Sequence, residues 1–155
     1  MINIIFMGTP QIALKSLEYL YNSDKINILA VVTQPDKPSG RGQKLTMSPI
    51  KEFALSKNIP VFQPKSLRKS PEIIEELKNL KPDFFVTFAF GQILSQEVLD
   101  IPKYETINLH ASLLPKYRGA NPIQRAIIEG EKQTGICTMI TELFILSHYR
   151  YDFLP

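Results

Sequence analysis

Asn108 and His110 are the residues with the clearest chemical potential. They lie two positions apart within Ile107-Asn-Leu-His-Ala-Ser-Leu-Leu-Pro-Lys-Tyr-Arg-Gly119. Side chains alternate sides along an extended strand, so these two share a face. A carboxamide can donate to a developing oxyanion, and an imidazole can take or return a proton. The pair therefore suits a reaction through a tetrahedral intermediate. Two polar side chains at a strand end can equally serve structure alone, and spacing leaves both readings open. A second candidate is the stretch Gln34 to Leu45, where Gly40 and Gly42 flank Arg41, with Lys37 and Lys44 close by. A mobile guanidinium with neighbouring ammonium groups can grip phosphates or enter a groove. A merely solvated loop has the same composition.

Other groups are less promising. Gly8-Thr9-Pro10 reads as a tight turn and helix cap. It lacks the further glycines of a dinucleotide fingerprint, and no Gly-Lys-Ser/Thr loop occurs, which argues against nicotinamide and nucleoside-triphosphate sites. Cys137 lies in an apolar run and reads as a small core residue. His148 stands in a C-terminal stretch with no visible partner and reads as solvated.

The elements that must position these groups follow from proline and apolar patterning. Four of the 12 prolines follow a residue able to cap a helix: Thr9-Pro10, Ser48-Pro49, Ser70-Pro71 and Asn121-Pro122. Proline fits the first helical position because the amide it lacks has no partner there. Helices are predicted over residues 10–22, 49–57, 71–80 and 122–129, each with apolar residues at helical spacing. Between them lie short continuous apolar runs at 2–7, 28–32, 84–88, 107–109 and 136–140, with a shorter one at Val61-Phe62. Continuous runs suit strands covered on both faces. Strands alternating with helices predict a Rossmann-like, doubly wound, mostly parallel α/β sheet. Ligands in such folds bind beyond the carboxyl ends of the strands, so segments 8–10, 33–48, 89–94 and 110–119 are the places to look.

Composition narrows the class. A chain of 155 residues predicts one domain. With 44% hydrophobic and 21% charged residues, its bulk is not a disordered chain. One cysteine excludes a disulfide scaffold and a cysteine-based zinc cluster. No apolar run is long enough to span a membrane, and the N-terminus lacks the pattern of a signal peptide, so a reduced cytoplasmic setting is expected. The net charge of +3 permits contact with a polyanion without demanding it.

The segment Asn108-Leu-His-Ala-Ser-Leu-Leu-Pro-Lys-Tyr-Arg-Gly119 resembles the signature of the folate-dependent formyltransferases. Thr33-Gln-Pro-Asp-Lys-Pro-Ser-Gly-Arg-Gly-Gln-Lys-Leu45, Val61-Phe-Gln-Pro64 and Asn121-Pro-Ile-Gln-Arg-Ala126 resemble the members that act on methionyl-tRNA. The resemblance covers residues 1–142. It implies an enzyme of translation initiation that moves a formyl group from 10-formyltetrahydrofolate, its co-substrate, to the amino group of initiator methionyl-tRNA, with no metal. It implies Asn108 as oxyanion donor and His110 as charge stabiliser or proton carrier. The folate would lie along Phe88, Ala89, Phe90, Gly91, Ile93 and Leu94 and against Ser112, Leu113, Leu114 and Pro115, held by backbone groups. Lys37, Arg41 and Lys44 would meet the tRNA, Arg41 reaching furthest. The resemblance also implies a monomer. Alternatives are a formyltransferase for another amine, a sugar nucleotide or a purine precursor, or a non-catalytic remnant.

Residues 143–155 leave the family pattern. The family aspartate that works with the Asn-x-His pair would fall at Leu146. The nearest acid, Asp152, lacks the flanking glycines, and Glu142 reads as a strand-end residue. The expected organisation is an incomplete catalytic domain over 1–142, a divergent tail over 143–155 and no C-terminal β-barrel domain, as a frameshift or early stop would produce. Impaired turnover is expected, together with an exposed strand edge that invites self-association.

Overall fold

A computed structural model of the chain describes residues 1–39 and 44–141. Six strands form one sheet: β1 (Ile2–Gly8), β2 (Ile26–Val32), β5 (Val61–Phe62), β6 (Phe84–Phe88), β7 (Glu105–His110) and β8 (Cys137–Ile140). Their order is β5-β2-β1-β6-β7-β8. All neighbours run parallel except β7 and β8, which are antiparallel. The chain winds outward from β1 through β2 to β5, then returns to the other side of β1 with β6. The crevice between β1 and β6 is therefore the switch point. Strands β3 (Lys37–Ser39) and β4 (Lys44–Thr46) form a separate antiparallel hairpin within the stretch that composition alone presents as loop.

Both faces of the central strands are packed, which is why their runs are continuous. On one face Ile4, Phe6, Val31, Val86 and Phe88 meet Ala13 and Leu17 of helix α1 (Gln11–Tyr21) and Ile50 and Ala54 of helix α2 (Pro49–Ser56). On the other, Ile5, Met7, Val32 and Phe85 meet Ile74 and Leu77 of α3 (Pro71–Asn79), Val98 of α4 (Gln96–Leu99) and Leu67 of a single 3-10 turn. Helix α5 (Pro122–Ile128) sends Ile123 to the first cluster.

Three of the four proline-marked helices open on their proline, whereas α1 opens one residue later with Pro10 itself at the cap position. Of the four small polar residues before proline only Ser48 caps with its side chain, accepting a hydrogen bond from the Lys51 amide at 3.1 Å. Thr9 spends its hydroxyl on Phe90, Ser70 donates to the Ser66 carbonyl, and Asn121 sits in the left-handed region with φ 58°. Gly8 is needed for close approach rather than a turn: a Cβ there would stand 2.9 Å from the Phe88 carbonyl oxygen of the neighbouring strand. Among the described residues, no helix is long and apolar enough to cross a membrane.

Candidate functional site

The carboxyl ends of β1, β2, β6 and β7 open on one side of the sheet, and side chains tie the segments that leave them. The Thr9 hydroxyl donates to the Phe90 carbonyl at 3.2 Å across the switch point and accepts from the Gln34 amide. The Gln34 carboxamide donates to the same Phe90 carbonyl at 3.1 Å and accepts from the Lys37 ammonium. Gln63 reaches the Gln34 carbonyl and the Asp36 carboxylate, which also receives Lys51 at 2.7 Å. Hydrogen bonds from Lys51 and Gln63 hold the Asp36 carboxyl below its ordinary range. Gln92 pins the next turn, accepting from the Leu67 amide and donating to the Pro64 carbonyl.

Within this frame Gly91 has φ +78°, and a Cβ there would collide with the Gln34 carboxamide. Glycine meets both demands at once. Among the described residues, Gly91, Gln92, Ile93 and Leu94 make no backbone–backbone hydrogen bond. The side chains of Phe88, Phe90 and Leu94 are core members, so these residues can meet a ligand only through main-chain atoms. Ala89, Gly91 and Ile93 are exposed.

Asn108 and His110 leave β7 on the same face, as alternation requires, and both are half-buried. No hydrogen bond joins them. The Asn108 carboxamide oxygen accepts from the Thr87 hydroxyl at 2.8 Å. His110 Nε2 lies 2.8 Å from the Tyr117 carbonyl oxygen. A carbonyl only accepts, so Nε2 carries the proton and, in a neutral ring, Nδ1 is left bare as the basic nitrogen. The following turn is tightly closed: the buried Ser112 hydroxyl donates to the Lys116 carbonyl at 2.6 Å, and the Leu114 amide donates to Cys137 Sγ. Leu113 and Pro115 face solvent while Leu114 is half-buried. Cys137 is half-buried on the marginal strand rather than in the core, because among the described residues no element covers that end of β8 as completely as the central strands are covered.

The turn is also anchored from outside. Tyr117 Oη lies 2.8 Å from a Glu131 carboxylate oxygen and 3.0 Å from one of Glu129, and Lys116 reaches the same Glu131 oxygen at 2.7 Å. Hydrogen bonds from Lys116 and Tyr117 lower the Glu131 pKa. The bond to Glu131, with burial and Glu129, raises that of the Tyr117 phenol. Thr87, Tyr117 and Glu131 were not legible as parts of the site from their spacing, since each joins through tertiary register. Lys37 and Lys44 sit at opposite ends of the β3–β4 ladder, Lys37 paired with Thr46 and Lys44 with Ser39, and both are exposed, while Arg41 lies outside the described residues. So do Glu142, Leu146, His148 and Asp152. Among the described residues, no group of three or more His, Cys, Asp or Glu is placed to hold a metal ion.

Comparison with known proteins agrees with this architecture. The family profile described as Formyl transferase matches residues 2–142. A methionyl-tRNA formyltransferase of Clostridium perfringens (strain 13 / Type A) is 61% identical over 140 residues, covering 90% of this chain and 45% of that protein. One from Clostridium novyi (strain NT) is 59% identical over 140 residues, with the same coverage of 90% and 45%. The chain thus spans about half the length of the curated relatives it matches. Among solved structures, phosphoribosylglycinamide formyltransferase from Bacillus halodurans aligns with a TM-score of 0.71 at 19% identity, covering 90% of this chain and 72% of that one. A formyltetrahydrofolate deformylase from Pseudomonas syringae aligns with a TM-score of 0.64 at 18% identity, over 92% of this chain and 46% of that one. These two likenesses concern the fold. With residues 2–142 inside the profile and relatives near 60% identity along most of its length, the chain belongs to the formyl transferase family.

Proposed function

We propose that this chain carries out formyl transfer from 10-formyltetrahydrofolate to the amino group of initiator methionyl-tRNA in the cytoplasm, as a monomer whose catalytic unit is residues 1–142 and whose tail is 143–155. The observation that carries the reading is the pairing on β7: an Asn108 carboxamide with its Nδ2 unengaged among the described residues, and a His110 ring with a bare Nδ1 on the same face. The amine nitrogen attacks the formyl carbon, and the carbonyl oxygen becomes an oxyanion that Asn108 Nδ2 stabilises. His110 Nδ1 takes a proton from the attacking nitrogen. The bond from the formyl carbon to the folate nitrogen then breaks, and that nitrogen recovers a proton. The free main-chain groups of Gly91–Leu94, with Phe88, Ala89 and Phe90 before them, offer donors and acceptors to the folate ring. The turn of Ser112, Leu113, Leu114 and Pro115, which leaves the carboxyl end of the neighbouring strand β7, is the second segment assigned to the folate. The basic stretch with Lys37, Arg41 and Lys44 suits an acceptor-stem phosphate. Identity near 60% to methionyl-tRNA formyltransferases favours this substrate over a sugar nucleotide or purine precursor.

Turnover is slow in this reading, because Leu146 stands where the family pattern has an aspartate; losing one member of such a constellation costs several orders of magnitude in rate. The test supplies the chain with 10-formyltetrahydrofolate and charged initiator tRNA and follows formyl-methionine. Slow transfer is expected, reduced a further ~10²–10³-fold in Asn108→Ala, as for loss of an oxyanion donor. Transfer unaffected by Asn108→Ala overturns the assignment. Turnover matching a full-length relative overturns the slow reading. Folate binding without transfer leaves the non-catalytic alternative standing.

A further inference from the structure

We propose that Thr87 is a positioning residue that sets which end of the Asn108 carboxamide faces the reacting group; the inference rests on the role assigned to Asn108 above. The parallel register of β6 and β7 places Thr87 directly beside Asn108. Thr87 is 6% exposed, on a strand whose next inward-facing neighbour on that side is the fully buried Phe85. A buried hydroxyl carries a desolvation cost that a valine of the same shape avoids, so it needs a partner. Two acceptors are in reach: the Asn108 carboxamide oxygen at 2.8 Å and the Ile107 carbonyl at 3.4 Å. The second is beyond the usual ~2.5–3.0 Å for a hydroxyl donor. The one hydroxyl proton therefore goes to Asn108.

That bond decides the sign of the site. The two ends of a carboxamide are nearly the same size, so packing alone does not distinguish the oxygen from the NH2 group. With Thr87 donating, the oxygen is held toward β6 and Nδ2 is left for the substrate. In the flipped orientation the site would present a lone pair to the developing oxyanion and oppose its formation. The hydroxyl disfavours the flip, because the NH2 group would then meet an oxygen whose own proton had only the distant Ile107 carbonyl to go to, at 3.4 Å.

The experiment compares Thr87→Val, which keeps shape and removes the hydroxyl, with Thr87→Ser, which restores it; Thr87→Ala is a second hydroxyl-free variant. The side-chain amide signals of Asn108, assigned by their loss in Asn108→Asp, are followed by nitrogen-15 NMR in the intact chain. Thr87→Val and Thr87→Ala should move and broaden that pair while Thr87→Ser keeps it near the original position. In steady-state formyl transfer, Thr87→Val should lower kcat about tenfold, the effect of one lost orienting hydrogen bond, with KM unchanged. An unmoved Asn108 pair in folded Thr87→Val, or a kcat equal to that of the original chain, overturns the proposal. If the unaltered chain transfers no formyl group, the functional reading fails, and the amide signals still decide the role of Thr87.

Discussion

The middle of the sheet and its β7–β8 margin are built to different standards. Strand β1 buries every residue from Ile4 to Gly8, and β6 buries Phe85 to Phe88 without a break. Strand β7 buries only Thr106 fully, and β8 alternates half-buried with exposed positions. The middle has helices on both faces, whereas the margin has a thinner cover: Ile127 and Ile128 on α5 remain 73% and 83% exposed. Close packing leaves side chains a single arrangement, while a half-covered strand leaves polar groups open to solution. The candidate site lies where the two regions meet. Asn108 is held by Thr87 of the packed middle, and His110 by the Tyr117 carbonyl of the margin. A reacting group needs both a fixed direction and access, and this boundary supplies one from each side.

The contrast can be broken hardest in the middle. Phe85→Ala empties a fully buried ring position and should cost ~3–5 kcal/mol of stability, read as a lowered urea midpoint. A loss near zero would mean the central packing is not as tight as its burial indicates. Ser48→Ala removes the one side-chain cap among the proline-marked helices and the Thr33 hydroxyl's partner, at 2.8 Å. It should cost about 1 kcal/mol by the same measurement.

The margin should answer to pH rather than to packing. The Glu131 carboxylate is lowered in the folded chain, so its contribution is complete above the ordinary carboxylate range and lost as pH falls through the depressed value. The Tyr117 phenol is raised, so its contribution is complete below about pH 10 and lost as pH rises through the folded value. An absorbance titration of phenolate should find Tyr117 still protonated where an ordinary tyrosine has ionised, and Glu131→Gln should bring it back toward that range. Unchanged titration in Glu131→Gln would remove the carboxylate as the cause. The smallest effect belongs to the exposed edge: Ile128→Ala should change stability by no more than about 0.5 kcal/mol. A larger loss would show that α5 is covered in solution.

Much of the frame was legible in the residues. Proline after a small polar residue marked four helix starts, and continuous apolar runs marked the six strands of the main sheet, because both signals act within a few residues of chain. The shared face of Asn108 and His110 followed from alternation alone. Local patterning also misled. Three of the four expected side-chain caps are absent, since Thr9, Ser70 and Asn121 are taken up by other bonds or by left-handed backbone. The hairpin 37–39 and 44–46 was hidden because three-residue strands rich in lysine and proline carry no apolar period.

Residue order by itself determined the strands, the helix starts, the family resemblance and the side of β7 on which the polar pair emerges, because each depends on spacing along the chain. Only the folded arrangement decided the orientation of that pair. The partner that turns the Asn108 amide comes from another strand, 21 positions away, and the bond that bridges the switch point joins Thr9 to Phe90, 81 positions apart. Such contacts are set by register between strands, which no short stretch of sequence encodes.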